Sequence, residues 1–82
     1  MNSIKILFFA NLHDHAGTNS IQIDIPIGAT VNDLKVRLAD DYPNLKPAMG
    51  TVLVAVNREY AFDIDIIPED AEVAIFPPVS GG

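Results

Sequence analysis

The residues with reactive potential are gathered in one stretch, Phe76-Pro77-Pro78-Val79-Ser80-Gly81-Gly82. A strand-like Glu72-Val73-Ala74-Ile75-Phe76 runs into two prolines, whose fixed φ and missing N–H end sheet pairing and send the chain outward in an extended form. Beyond Val79 the side chains taper almost to nothing, and glycine allows backbone to approach other backbone closely. Such a segment can thread a narrow slot. What it delivers is the Gly82 carboxylate, a group that a partner can activate as an acyl-adenylate. Gly82 is therefore the candidate reacting residue. Phe76, Pro77, Pro78, Val79, Ser80 and Gly81 form the candidate partner-binding segment, with residues 77–82 expected as a flexible tail. Many termini contain glycine only because nothing constrains them. The rigid Pro-Pro followed by Val-Ser-Gly-Gly is more specific than a glycine pair.

The other polar constellations are weaker. His13-Asp14-His15 offers two imidazoles in a polar loop without a third and fourth metal ligand nearby, a pattern better explained by solvation. Asp63 and Asp65 lack the glycine and the terminal glutamate of a calcium loop. Ser3, Ser20 and Ser80 lie in no nucleophile-elbow context, and no phosphate-cradling glycine loop occurs. No metal site and no bound cofactor are expected. The 82 residues include no cysteine, so disulfides, thiolate metal sites and a cysteine nucleophile are excluded, and any sulfur handled must ride on another group.

The formal charge of −6, from eleven acids and five bases, opposes binding to nucleic acid phosphates and to anionic membranes. A basic protein partner suits it better. The hydrophobic fraction is 49%, at the upper edge for soluble domains, so part of the apolar surface is expected to meet a partner. Met1-Asn2-Ser3 has no cationic run, and the apolar stretch after it is interrupted by Lys5. Neither a secretory leader nor a membrane span is expected, and the expected compartment is the cytoplasm.

The length suits a single domain spanning residues 1–82. Residues 4–10 read as a first strand, with Ile4, Ile6 and Phe8 on one face and Lys5, Leu7 and Phe9 on the other; apolar on both faces, it should be central. Residues 11–19 read as a polar loop with Gly17 as the turn residue. Ser20-Ile21-Gln22-Ile23-Asp24-Ile25 alternates as a half-exposed antiparallel strand ended by Pro26, forming a hairpin with the first. Thr30 as N-cap and Asp33 three residues on match a capping box, and Val31, Leu34 and Leu38 form the apolar stripe of a helix that must end by about Tyr42, before Pro43. Asp40 and Asp41 then face an unfavourable helix dipole. Leu45 loosely anchors the next connection. Residues 51–56 read as an interior strand, Asn57-Arg58-Glu59 as a turn, Tyr60-Ala61-Phe62 as a brief return and residues 63–70 as an irregular passage before the last strand at residues 72–76. Strand, strand, helix, strand, short strand and strand make an α+β fold of the β-grasp, ubiquitin-like type: a mixed sheet, one main helix on one face and a protruding Gly-Gly tail. Phe9, Leu53 and Phe76 are expected to share an apolar patch on the face away from the helix.

Ile6-Leu7-Phe8-Phe9-Ala10, Gly17, Ala29-Thr30-Val31, Val54-Ala55-Val56-Asn57 and residues 72–82 together resemble the MoaD-type small subunit of molybdopterin synthase, a sulfur carrier of the MoaD/ThiS superfamily. The resemblance covers nearly the whole chain, and Pro-Pro-Val-Ser-Gly-Gly is its most specific part. Asp70-Ala71-Glu72-Val73 stands where the family usually has Gly-Asp-Glu-Val, and His13 stands where a basic residue is common. The resemblance implies that an E1-like adenylating enzyme, using ATP, activates Gly82, that the carboxylate becomes a thiocarboxylate, and that the large subunit of molybdopterin synthase receives the tail and transfers its sulfur to cyclic pyranopterin monophosphate. The implied assembly is a heterotetramer of two small and two large subunits, with the substrate pocket on the large one.

Three other readings compete. A ubiquitin-like modifier would join Gly82 to target lysines. A thiazole-pathway sulfur carrier would use the same activation, though such chains resemble this tail less around Pro77-Pro78. A plain interaction module would bind through its sheet and tolerate loss of Gly82.

Overall fold

The computed structural model describes residues 1–78. In chain order they form β1 (Asn2–Phe8), α1 (Leu12–Ala16), β2 (Ser20–Ile25), α2 (Val31–Asp41), a 3-10 turn at Pro43–Leu45, β3 (Leu53–Val56), β4 (Glu59–Ala61) and β5 (Glu72–Phe76). The strands make one mixed sheet in the order β2-β1-β5-β3-β4. Among the described strands only β1 and β5 run parallel, with Lys5 beside Glu72 and Phe8 beside Ile75. The other pairs are antiparallel. This is the expected β-grasp, with the first strand in the interior and the last strand beside it.

Alternation decides which side of each strand is buried. Ile4, Ile6 and Phe8 of β1, Val54 of β3 and Val73 and Ile75 of β5 share one cluster with Val31, Leu34 and Leu38 of α2. The capping box at the start of α2 is formed: the Asp33 amide donates to Thr30 Oγ1 at 3.2 Å, and the Thr30 amide donates to Asp33 Oδ2 at 3.0 Å. At the other end Arg37 Nε donates to Asp41 Oδ2 at 2.7 Å. That i,i+4 pair offsets part of the dipole cost that the sequence left without an explanation.

Three expectations need correction. Residues 11–19 are not all loop, because Leu12 is 2% exposed and its burial draws the segment into a short helix. The Leu12 amide donates to the Phe9 carbonyl at 3.2 Å, and Gly17, at φ +78°, closes the helix by donating to the His13 carbonyl at 2.9 Å. Leu45, expected as a loose anchor, is completely buried together with Met49. The first strand is also shifted relative to residues 4–10. It begins at Asn2, whose buried side chain donates to the Pro68 carbonyl and accepts from the Asp70 amide, and the chain turns away at Ala10, φ +53°.

Candidate functional site

β5 alternates Val73 and Ile75 into the core with Glu72, Ala74 and Phe76 onto the outer face, away from α2. Its neighbours add their outward residues in register: Leu7 beside Ala74, Leu53 opposite Phe76, Ala55 opposite Ala74, and Tyr60 of β4 opposite Ala55. Phe9 follows β1 and packs on Phe76 with ring centroids 5.1 Å apart, while Tyr60 meets Phe76 edge-on at 6.2 Å. Leu7, Phe9, Ala55, Tyr60, Ala74 and Phe76 line an open groove of about 380 Å³, with Arg58 and Glu72 also contributing to its wall. The expected patch of Phe9, Leu53 and Phe76 is therefore present, with Phe9 43% and Leu53 36% exposed.

The tail root rises from the same place. The Phe9 amide donates to the Ile75 carbonyl at 3.1 Å, and Phe76 is in register with Leu53 on the other side. The backbone is thus held on both flanks up to the residue before the prolines. Pro77 is half-buried and Pro78 exposed. Phe76, Pro77 and Pro78 accordingly leave the middle of the sheet beside the apolar groove. Val79, Ser80, Gly81 and Gly82, the expected reacting residue among them, lie outside the described residues.

The remaining candidates are accounted for locally. His13 Nδ1 lies 3.3 Å from Asp14 Oδ1 on α1, and among the described residues no group of three or more His, Asp or Glu side chains is placed to hold a metal ion. Asp63 pairs with Lys35 Nζ at 2.7 Å, and Asp65 Oδ2 accepts from the Phe62 amide at 2.8 Å. Both carboxylates therefore pin the passage after β4 to its surroundings. No helix among the described residues is long and apolar enough to cross a membrane.

Sequence reasoning missed Tyr60 and Arg58 as members of the groove. A two-residue turn at Asn57-Arg58 fixes Tyr60 opposite Ala55 by counting outward from the turn, so the signal was available in the hairpin register.

Comparison with known proteins places these observations. A model of the ThiS family matches residues 6–82. The molybdopterin synthase sulfur carrier subunit of Dictyostelium discoideum is 42% identical, covering 99% of this chain and 98% of the relative. The crystal structure of SAMP1 from Haloferax volcanii superposes with a TM-score of 0.84 at 31% identity, covering 98% of this chain and 99% of that one. A chain in the complex of subunits 1 and 2 of molybdopterin-converting factor from Helicobacter pylori shares the fold, with a TM-score of 0.71 at 20% identity, over 98% of this chain and 99% of that one.

Proposed function

The chain belongs to the ThiS family, and from its likeness to molybdopterin synthase sulfur carrier subunits we propose that it is the sulfur-carrier subunit of a molybdopterin synthase. An E1-like enzyme adenylates Gly82 with ATP, releasing pyrophosphate. A sulfur donor then displaces AMP, leaving a Gly82 thiocarboxylate. The large subunit takes the tail into its pocket, where the thiocarboxylate sulfur bonds to a side-chain carbon of cyclic pyranopterin monophosphate as that carbon's bond to oxygen breaks and the oxygen leaves. Water cleaves the acyl–sulfur bond, so the sulfur stays on the pterin and Gly82 returns as a carboxylate. The setting is the cytoplasm and the assembly two small and two large subunits.

One observation carries this reading: a stiff Pro77-Pro78 root leaves a strand fixed on both flanks, next to an exposed apolar groove. A thiocarboxylate is a strong nucleophile at neutral pH, and a tail presented from a rigid base supplies positioning. The groove gives the partner a surface to grip while the tail is inserted. The chain contributes the nucleophile and its aim. The pocket that binds the pterin belongs to the partner.

The test is intact-protein mass spectrometry of the chain purified from its native cells, with mapping of the C-terminal peptide. A mass gain equal to one oxygen exchanged for sulfur, located on Gly82, is expected. An unmodified Gly82 in cells actively making the cofactor would refute the reading. The likeness to SAMP1, a small archaeal modifier protein by name, favours a second reading in which Gly82 forms isopeptide bonds with target lysines. Conjugates on a blot of the tagged chain would select it.

A further inference from the structure

Of the five cationic side chains, two are engaged at the surface of α2: Lys35 with Asp63 and Arg37 with Asp41. Lys46 follows the 3-10 turn. Lys5 and Arg58 remain, and both belong to the outer face of the sheet. Lys5 alternates with Ile4 and Ile6 on β1, and Arg58 lines the groove beside Tyr60 and Phe76. Among the described residues the Arg58 guanidinium makes no ion pair and no hydrogen bond, even with Glu72 on the same wall.

Its backbone adds a second anomaly. Asn57 and Arg58 form the two-residue turn between β3 and β4 with φ of +50° and +72°. Such turns favour Asn-Gly, because both central residues adopt positive φ. The fold explains Asn57: its side chain accepts from the Glu72 amide at 3.0 Å, and its own amide donates to the Glu72 carbonyl at 2.8 Å. Nothing among the described residues explains arginine at the second position, where a Cβ is disfavoured and glycine would fit better. A strained residue whose charged group has no partner among the described residues, set in the wall of an apolar groove, points to a partner outside the chain.

We infer that Arg58 is a specificity-determining residue that pairs with a carboxylate on the partner subunit covering the outer-face groove. This rests on the preceding reading, in which that face meets the large subunit. The chemistry follows from the setting. A guanidinium binds a carboxylate through two parallel hydrogen bonds, and apolar walls that exclude water strengthen them. An apolar groove alone resists rotation of the partner poorly, whereas a directional bond at one end fixes orientation and hence the path of the tail. The rest of the chain is strongly acidic, so the partner surface is expected to be basic around the groove with an acidic spot facing Arg58. An acidic spot there would also reject carriers that lack the cation.

The experiment is calorimetric titration of the full chain against the purified large subunit at several salt concentrations, alongside thermal melting of each chain. Arg58→Gly is expected to melt at the same or a higher temperature, since it relieves the positive φ, yet to bind on the order of tenfold more weakly with a shallower salt dependence. Arg58→Lys should fall between the two, and Arg58→Glu should bind more weakly than Arg58→Gly. If wild-type chain binds and Arg58→Gly matches its affinity, the inference is overturned and the proposed function stands. If the wild-type chain does not bind the large subunit at all, the proposed function falls and the inference with it.

Discussion

Phe9→Ala separates the two jobs an apolar side chain can have on this sheet. Phe9 is 43% exposed and leans on Phe76 with centroids 5.1 Å apart. A phenylalanine presents about 200 Å² of surface, and the exposed 43% leaves about 85 Å² for a partner to cover. At about 25 cal/mol per Å² that area is worth about 2 kcal/mol, or a dissociation constant raised about 30-fold. The part already covered in the free chain, about 115 Å² discounted for the compactness of the unfolded state, sets a stability cost of about 2 kcal/mol. Ile6→Ala is the contrast: Ile6 is 0% exposed, so truncation should cost about 2–5 kcal/mol of stability and leave the affinity of the folded fraction unchanged. Urea denaturation measures the first quantity and calorimetric titration with the large subunit the second. The reasoning is refuted if Phe9→Ala binds as tightly as wild type. It is equally refuted if Phe9→Ala loses as much stability as Ile6→Ala, because the ring would then belong to the core.

Other substitutions test the scaffold. Thr30→Ala removes the acceptor for the Asp33 amide at the start of α2 and should lower urea stability by about 1 kcal/mol, with helix content intact by circular dichroism. Asn2→Ala deletes both bonds from β1 to the turn before β5, at the Pro68 carbonyl and the Asp70 amide. It should cost about 1–3 kcal/mol and speed amide exchange at Asp70 more than in α2. Gly17→Ala places a Cβ at φ +78° with open space around it, so the penalty is conformational alone, about 1 kcal/mol by thermal melting.

Much of the scaffold was legible because its signals are local. The Thr30–Asp33 pair marks the helix start and Pro43 its limit, and the spacing of Val31, Leu34 and Leu38 identifies the buried side. The isoleucines of β2 and the two apolar faces of β1 and β3 indicate which strands are interior. α1 escaped notice because His13-Asp14-His15 dominates its composition, while a single residue, Leu12, supplies the reason for it to fold. The depth of Leu45 and Met49 depends on long-range packing that no periodicity encodes. At the site, the tail chemistry and the patch of Phe9, Leu53 and Phe76 could be read from residue types. Tyr60 and Arg58 required the register across β3 and β4, which is set by counting outward from a two-residue turn at Asn57-Arg58 rather than the three-residue turn expected at 57–59.

The parallel pairing of β1 with β5 also has a consequence for how the molecule comes into being. Among the described strands the neighbour of the first is the last, and β5 separates β1 from β3 in the sheet. On a ribosome, β1, β2 and α2 emerge early, but β1 and β3 each lack a neighbour until residues 72–76 have cleared the exit tunnel. Closing that distant contact is the slow, entropically costly step of assembly. The sheet therefore cannot be completed on a nascent chain that still holds β5 inside the tunnel. A partner that recognises the completed outer face would consequently pass over chains in which β5 has yet to pair.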